Sequence, residues 1–136
     1  MTAITTPRLK GSSDSLLRFA LRADATASGL MGLAGIPLAG WLAEISGTTK
    51  AFEYSMSAFF IAFAVGVFAL AARPSVRQTG IVVAAGNVLY TVASVVFVLA
   101  DVFPLTTVGV VLTLAVGVYT LVMAELQYQG VRRIKR

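Results

Sequence analysis

Four long apolar segments dominate the chain. They run over residues 25–45, 54–72, 81–100 and 105–126. Each has the length of about 20 residues that a helix needs to cross a hydrocarbon core of about 30 Å. Backbone groups in lipid must be hydrogen-bonded within the protein, which favours helices for segments of this length. The pattern predicts a membrane domain over residues 25–128, between a mobile N-terminal tail (residues 1–11) and a basic C-terminal tail (residues 129–136).

The segment before the first apolar run has its own pattern. Residues 12–24 place leucine and alanine on one side of a helix. The other side carries Asp14, Arg18 and Arg22, four residues apart. This spacing predicts a short amphipathic helix in the membrane interface, with its arginines toward lipid phosphate. A plain extension of the first transmembrane helix is the alternative.

The composition is that of a membrane protein. Of the 136 residues, 57% are hydrophobic and 12% are charged, whereas soluble domains contain roughly 25% charged residues. A small soluble protein has too much surface to cover with so few charges. We therefore predict an all-α membrane protein, in which an antiparallel bundle of four transmembrane helices follows the short N-terminal interfacial helix.

The positive charges are strongly segregated. If the chain crosses the membrane four times, ten of its 11 lysines and arginines share one side, and only Lys50 lies on the other. Cytoplasmic segments of membrane proteins carry the excess of such residues. We predict a multi-pass protein of the bacterial cytoplasmic (inner) membrane with both termini cytoplasmic. Its basic face should attract the anionic headgroups of membrane lipids, and no fold signature indicates nucleic-acid binding.

The residue types that carry most enzyme chemistry are missing from the chain. It has no cysteine and no histidine. Thiolate and imidazole metal ligands are therefore excluded, as is the usual acid–base group at neutral pH. The six carboxylates divide equally between the two predicted membrane faces. We therefore expect a non-catalytic protein, without a metal site or a cofactor.

Small residues recur at helical spacing along the four segments. Such faces let helix backbones approach closely, and close packing drives helix association in lipid. The glycines expected at these contacts are Gly32, Gly35, Gly66, Gly109 and Gly117. In the second segment the expected packing face is Ser55, Ala58, Ala62, Gly66 and Ala69. A face that the bundle does not use could equally meet a partner protein.

Five polar residues are expected to meet at the cytoplasmic end of the bundle. They are Arg22, Asp24, Asn87, Glu125 and Gln127. We predict that they form a polar clasp in which Arg22 pairs with Glu125, because unpaired charges near the apolar boundary are costly. A docking site for a cytoplasmic partner or a lipid headgroup is the alternative.

Three short segments carry a family resemblance. They are LRADATASG over residues 21–29, GNVLY over residues 86–90 and AELQYQGVRR over residues 124–133. These segments resemble a family of small four-helix bacterial integral membrane proteins of unknown function, over roughly residues 16–133. The resemblance implies the same four-helix bundle and adds weight to the five polar residues. It implies no activity, substrate or cofactor.

Three classes of function stay open on the sequence alone. The expected one is an accessory or stabilising subunit of a larger membrane complex, such as a transporter or a respiratory assembly. The second is a small homo-oligomeric transporter or channel for a lipophilic or cationic solute, which would need a path past Pro37 and Asn87. The third is a lipid-binding membrane protein.

Overall fold

In the computed structural model, the described residues form four helices, which short turns connect, and no strand. The described residues are 13–134 in full and 2–12 as helical backbone. The helices are α1 (Thr2–Ser46), α2 (Lys50–Ala71), α3 (Arg77–Leu99) and α4 (Thr107–Arg132). Each is long and apolar enough to cross a membrane within its described part. The prediction of an all-α, multi-pass membrane protein is confirmed.

The four helices form three close seams and one wide one. α1 packs closely along both α2 and α4, and α3 packs closely along α4. α2 and α3 follow each other in the chain, yet their backbones approach at only a few positions. α1 and α4 are therefore the two helices that hold the bundle together, and α2 and α3 lie on its flanks.

Large aromatic side chains fill the wide seam between α2 and α3. The ring of Phe52 stacks on that of Phe97 with the centroids 5.3 Å apart. Tyr90 lies 5.9 Å from Phe60, and Phe103 packs edge-on against Phe52 at 5.1 Å. The distance between packed helices depends on the side chains at the contact, so these rings account for the separation of α2 and α3.

Small residues lie in the close seams. A Cβ added to Gly32 of α1 would stand 2.8 Å from the carbonyl oxygen of Ser57 on α2, and Gly35 also faces Ser57. Gly109 and Gly117 of α4 leave as little room against α1 and α3. Four of the five glycines expected at helix contacts are therefore found there.

The packing face expected for α2 is wrong. All five of its small residues are exposed, namely Ser55, Ala58, Ala62, Gly66 and Ala69. A Cβ on Gly66 would meet no atom within 4 Å. The helix instead buries Ser57, Ala64, Val67 and Ala71. An alanine-rich helix has small residues on more than one side, and its neighbours decide which side is covered.

α1 runs without a break from the N-terminal region into the first span. The separate interfacial helix expected over residues 12–24 is not formed, and the alternative of an extended first helix is what the structure has. Leu17 and Leu21 are fully buried, because Gly80 of α3 and Gly130 of α4 leave space for Leu17. Protein, rather than lipid, covers this apolar side.

The structure describes the two predicted tails only in part. The fully described residues begin after the tail expected over residues 1–11, and residues 135 and 136 also lie outside them. Residues 129–132 were assigned to the basic C-terminal tail, but they belong to α4. The basic tail is therefore shorter than expected.

Arg18 closes the end of α2. Its Nη1 donates to the carbonyl oxygens of Ala71 and Arg73, and its Nη2 donates to that of Pro74, each at 2.8 Å. Its Nε also donates to Asp14 across 3.0 Å. The last carbonyls of a helix lack partners within the helix and favour a positive charge. Arg18 therefore caps α2. The expectation that it points toward lipid phosphate is wrong.

The described arginines all lie at one end of the bundle, the end that contains Arg18. α1 enters there, α2 and α4 end there, and α3 begins there, with Arg18, Arg22, Arg73, Arg77, Arg132 and Arg133. We call it the basic end. Lys50 lies at the opposite end, where α2 begins.

Thr106 joins α1 to α4 at the end opposite the basic end. Its hydroxyl accepts a hydrogen bond from the Gly109 amide at 3.0 Å, as an N-cap, and donates to the carbonyl oxygen of Ile45. Its own amide donates to the carbonyl oxygen of Ser46 at 3.0 Å. Unsatisfied carbonyls at the end of α1 thus find their donors at the start of α4.

Candidate functional site

A buried carboxylate, Asp24, lies among the polar residues near the basic end. It projects from α1 and is fully buried. Ser28 of α1 and Tyr119 of α4 donate hydrogen bonds to its Oδ1 at 3.3 and 2.6 Å. Asn87 of α3 and Gln127 of α4 donate to its Oδ2 at 2.8 and 2.9 Å. These five residues, which we call the Asp24 centre, connect three of the four helices.

Two donors of the Asp24 centre are also bonded to each other. The Nδ2 of Asn87 donates to the Oε1 of Gln127 at 3.0 Å as well as to Asp24. A carboxamide nitrogen carries two hydrogens, so Asn87 uses both of them. Asp24, Asn87 and Gln127 form a closed triangle, with one corner on each of α1, α3 and α4.

Four hydrogen bonds from neutral side chains meet at the carboxyl group of Asp24. A carboxylate has about four lone-pair sites for such bonds. Each oxygen of Asp24 accepts two hydrogen bonds. Within residues 13–134 the single ion pair is Arg18 with Asp14. Asp24 therefore has neutral hydrogen-bond partners and no ion-pair partner among these residues.

Hydroxyl groups extend the polar contact between α3 and α4 beyond the Asp24 centre. The hydroxyls of Thr91 and Thr120 lie 2.8 Å apart, and Thr91 also lies 3.0 Å from the carbonyl oxygen of Gly117. Ser94, which faces Gly117, donates back to the carbonyl oxygen of Thr91 at 2.7 Å. Polar side chains therefore help to fix the register of α3 against α4.

Two of the residues predicted to form the polar clasp lie outside it. Asp24, Asn87 and Gln127 come together, but Arg22 and Glu125 are exposed, and these two described residues form no ion pair. Residues two positions apart point about 200° apart around a helix of 3.6 residues per turn. Arg22 and Asp24 are related in this way, and so are Glu125 and Gln127. Burial of one member of each pair turns the other outward.

Tyr119 and Ser28 belong to the Asp24 centre but were not among the predicted site residues. Ser28 lies four positions after Asp24, one turn along the same face of α1. Tyr119 lies eight positions before Gln127 on α4, and its hydroxyl lies 3.2 Å from the carbonyl oxygen of Asp24 in addition to its bond to the carboxylate. The sequence did contain an indication of both residues, because each is a polar residue on the same face of its helix as a predicted site residue.

An apolar groove follows the outer side of α3 and α4 beside the Asp24 centre. It has a volume of about 830 Å³. Its apolar walls include Ile81, Ala84, Ala85, Val88, Leu121 and Val122. Arg77, Glu125 and Tyr128 also line it, toward the basic end. We call this feature the α3–α4 groove.

The carboxylate of Asp24 is enclosed by its hydrogen-bond partners. Asp24 and Gln127 have no exposed surface. Pro37, the other residue considered for a solute path, is exposed on the outside of α1. Among the described residues, no group of three or more acidic side chains is placed to hold a metal ion. Comparison with protein-family models, curated proteins and solved structures found no match to this chain.

Proposed function

We propose that this chain is a non-catalytic accessory or stabilising subunit of a larger bacterial membrane complex, such as a transporter or a respiratory assembly. The observation that carries the proposal is the state of Asp24, whose two oxygens are each occupied by two internal hydrogen bonds. A catalytic or proton-carrying carboxylate needs an accessible position and a reaction partner within hydrogen-bond reach. The geometry of the Asp24 centre therefore supports a structural role, in which it holds helices together, rather than a catalytic one.

The position of α2 supports a partner within the membrane. This helix packs closely only on α1, and one face of it, made of small residues, is exposed. We call this surface the open face of α2; it contains Ser55, Ala58, Ala62, Gly66 and Ala69. A helix of another protein could approach it closely, as small residues allow in lipid. The open face is therefore the proposed contact with the larger complex.

The proposal includes an orientation in the bacterial inner membrane, with both termini cytoplasmic. It is supported by the arginines at the basic end and by the location of Lys50 opposite them, because positive residues favour the cytoplasmic side. The resemblance to a bacterial four-helix family supports the same location. Reporter fusions at the C-terminus and at Arg77 should read as cytoplasmic, and a fusion at Lys50 as external. A cytoplasmic Lys50 fusion would contradict the orientation.

Affinity purification from native membranes tests the subunit role. In mild detergent, we expect a larger membrane protein to co-purify with the tagged chain in stoichiometric amount and to be identified by mass spectrometry. Ala62→Leu adds bulk to the open face of α2 and should abolish this association. Ala93→Leu makes the same change on an exposed position of α3 and should not. Equal behaviour of the two variants would contradict docking through α2.

A homo-oligomer is the second assembly that the open face could build. In that case the chain would purify with copies of itself and without a larger protein, and Ala62→Leu would release monomers. That result would contradict the subunit proposal and favour the small transporter or channel for a lipophilic or cationic solute.

A further inference from the structure

The α3–α4 groove combines apolar walls with a positive charge that lacks a partner. Its volume of about 830 Å³ falls in the range of ligand sites, roughly 300–1,000 Å³. Arg77 lines the groove toward the basic end and forms no ion pair among the described residues. Its Nε is also buried without a hydrogen-bond partner there, and an unsatisfied buried donor is costly. The guanidinium of Arg77 is therefore the group of the groove at which an anion would bind most favourably.

The length of the groove matches one leaflet of a bilayer. From Arg77 at the start of α3 to Val88 the helix rises about 16 Å at 1.5 Å per residue. On α4, residues Leu121 to Val131 cover about 15 Å by the same rise. Half of a hydrocarbon core of about 30 Å is about 15 Å. An acyl chain that starts beside Arg77 would therefore follow the groove to the middle of the membrane.

The charges near Arg77 favour an anionic headgroup. The guanidinium of Arg132 lies 5.7 Å from the ring centre of Tyr128, which lines the groove. Glu125 is the one acidic residue in the lining, so Arg77 and Arg132 together exceed it in charge. The fork of an arginine matches the geometry of a phosphate.

We propose that the α3–α4 groove binds one diacyl anionic phospholipid, with its phosphate on Arg77 and an acyl chain along the apolar walls. This differs from a diffuse attraction of lipid to the basic end, because it requires one lipid in one place. It goes beyond the proposed subunit role and does not depend on it, since the site lies on α3 and α4 and not on the open face of α2.

Lipid retention measures this site directly. The purified chain is placed in nanodiscs of equal parts phosphatidylglycerol and phosphatidylethanolamine, extracted in mild detergent and examined by native mass spectrometry. We expect one phosphatidylglycerol to be retained in preference to phosphatidylethanolamine. Arg77→Gln should reduce its retention about tenfold, in line with the loss of a hydrogen bond between charged groups. Arg73→Gln removes an exposed arginine outside the groove and should retain the lipid.

A second pair of variants tests the apolar part of the groove without a change of charge. Ala85→Phe fills the groove from its wall and should also reduce retention about tenfold, whereas Ala93→Phe lies outside the lining and should not. Equal retention of both lipids, or full retention of phosphatidylglycerol by Arg77→Gln and Ala85→Phe, would overturn the proposal. Ala62→Leu should retain the lipid even if it loses a protein partner, which separates this result from the subunit test.

Discussion

Gln127 donates a hydrogen bond from Nε2 to the Oδ2 of Asp24 across 2.9 Å and 103 residues of sequence. The bond joins the last turns of α4 to α1 through two side chains that have no exposed surface. Hydrogen bonds to charged groups contribute roughly 1.5–3 kcal/mol each, and a low local dielectric makes their loss more costly. Asp24 with its donors is therefore the place where single substitutions should affect stability most.

Asp24→Asn should lower the free energy of unfolding by about 3 kcal/mol, because the amide has one acceptor oxygen where the carboxylate has two, and the hydrogen bonds to a charged group are lost. Reversible unfolding in a fixed detergent measures the change. Glu44→Gln is the matched control, since Glu44 is an exposed carboxylate near the opposite end of α1. Equal stability of the two variants would show that the Asp24 centre does not hold the helices.

Arg22→Ala and Glu125→Ala should each stay within about 0.5 kcal/mol of the wild type, as exposed substitutions usually do. Their effects should also add, because the two side chains form no ion pair. Asn87→Ala and Gln127→Ala should instead show a coupling of at least about 0.5 kcal/mol, since these two side chains are directly bonded. A larger coupling for Arg22 with Glu125 would restore the polar clasp as first predicted.

Arg18→Ala should lower the free energy of unfolding by about 2 kcal/mol, because the carbonyls at the end of α2 lose charge-assisted hydrogen bonds. Arg18→Lys should recover only part of this, since an ammonium group lacks the planar fork of a guanidinium. Hydrogen exchange should become faster in residues 72–76. Arg73→Ala removes an exposed side chain and should leave stability and exchange unchanged; a matching loss would point to overall charge as the cause.

Gly130→Ala and Gly66→Ala should change stability in opposite directions. A Cβ on Gly130 would lie 2.7 Å from the Cα of Leu17, where backbone must move, and such overpacking costs about 1–3 kcal/mol. Gly66 has open space around it, so alanine should raise stability by about 0.5–1 kcal/mol through helix propensity. Thermal unfolding of both variants in one detergent checks this, and destabilisation of both would contradict the open position of Gly66.

The spans could be predicted because apolar length is a property of each segment by itself. The side on which a helix packs depends on its neighbours. The sequence indicates this side more clearly for some helices than for others. On α1 the glycines expected at helix contacts, Gly32 and Gly35, are both buried. On α2 small residues occur all round, and the wrong face was chosen. Helix ends were misplaced because a helix continues past the apolar segment where its end is capped, as at the start of α2, where the side chain of Thr49 accepts a hydrogen bond from the amide of Phe52.

For the candidate site, the sequence predicted the position of each residue along its helix, but not the side of the helix that faces the bundle interior. Asn87 and Gln127 were expected near Asp24 because all three lie at the same predicted level of the membrane. Arg22 and Glu125 lie at that level too, and only the rotation of each helix separates them from the others. The spacing of two residues contains this information, because it corresponds to opposite sides of a helix. Which side faces inward still required the packing of α1 against α4.

The Asp24 centre makes the first helix depend on the last. Asp24 lies in the first helix of the chain, whereas its partners Asn87 and Gln127 lie in the third and the fourth. A carboxylate without partners is costly near the apolar part of a membrane, and α1 by itself offers Asp24 only the hydroxyl of Ser28. The set of donors is complete only when α3 and α4 are both in place. The last helix of the chain therefore completes the polar contacts of the first.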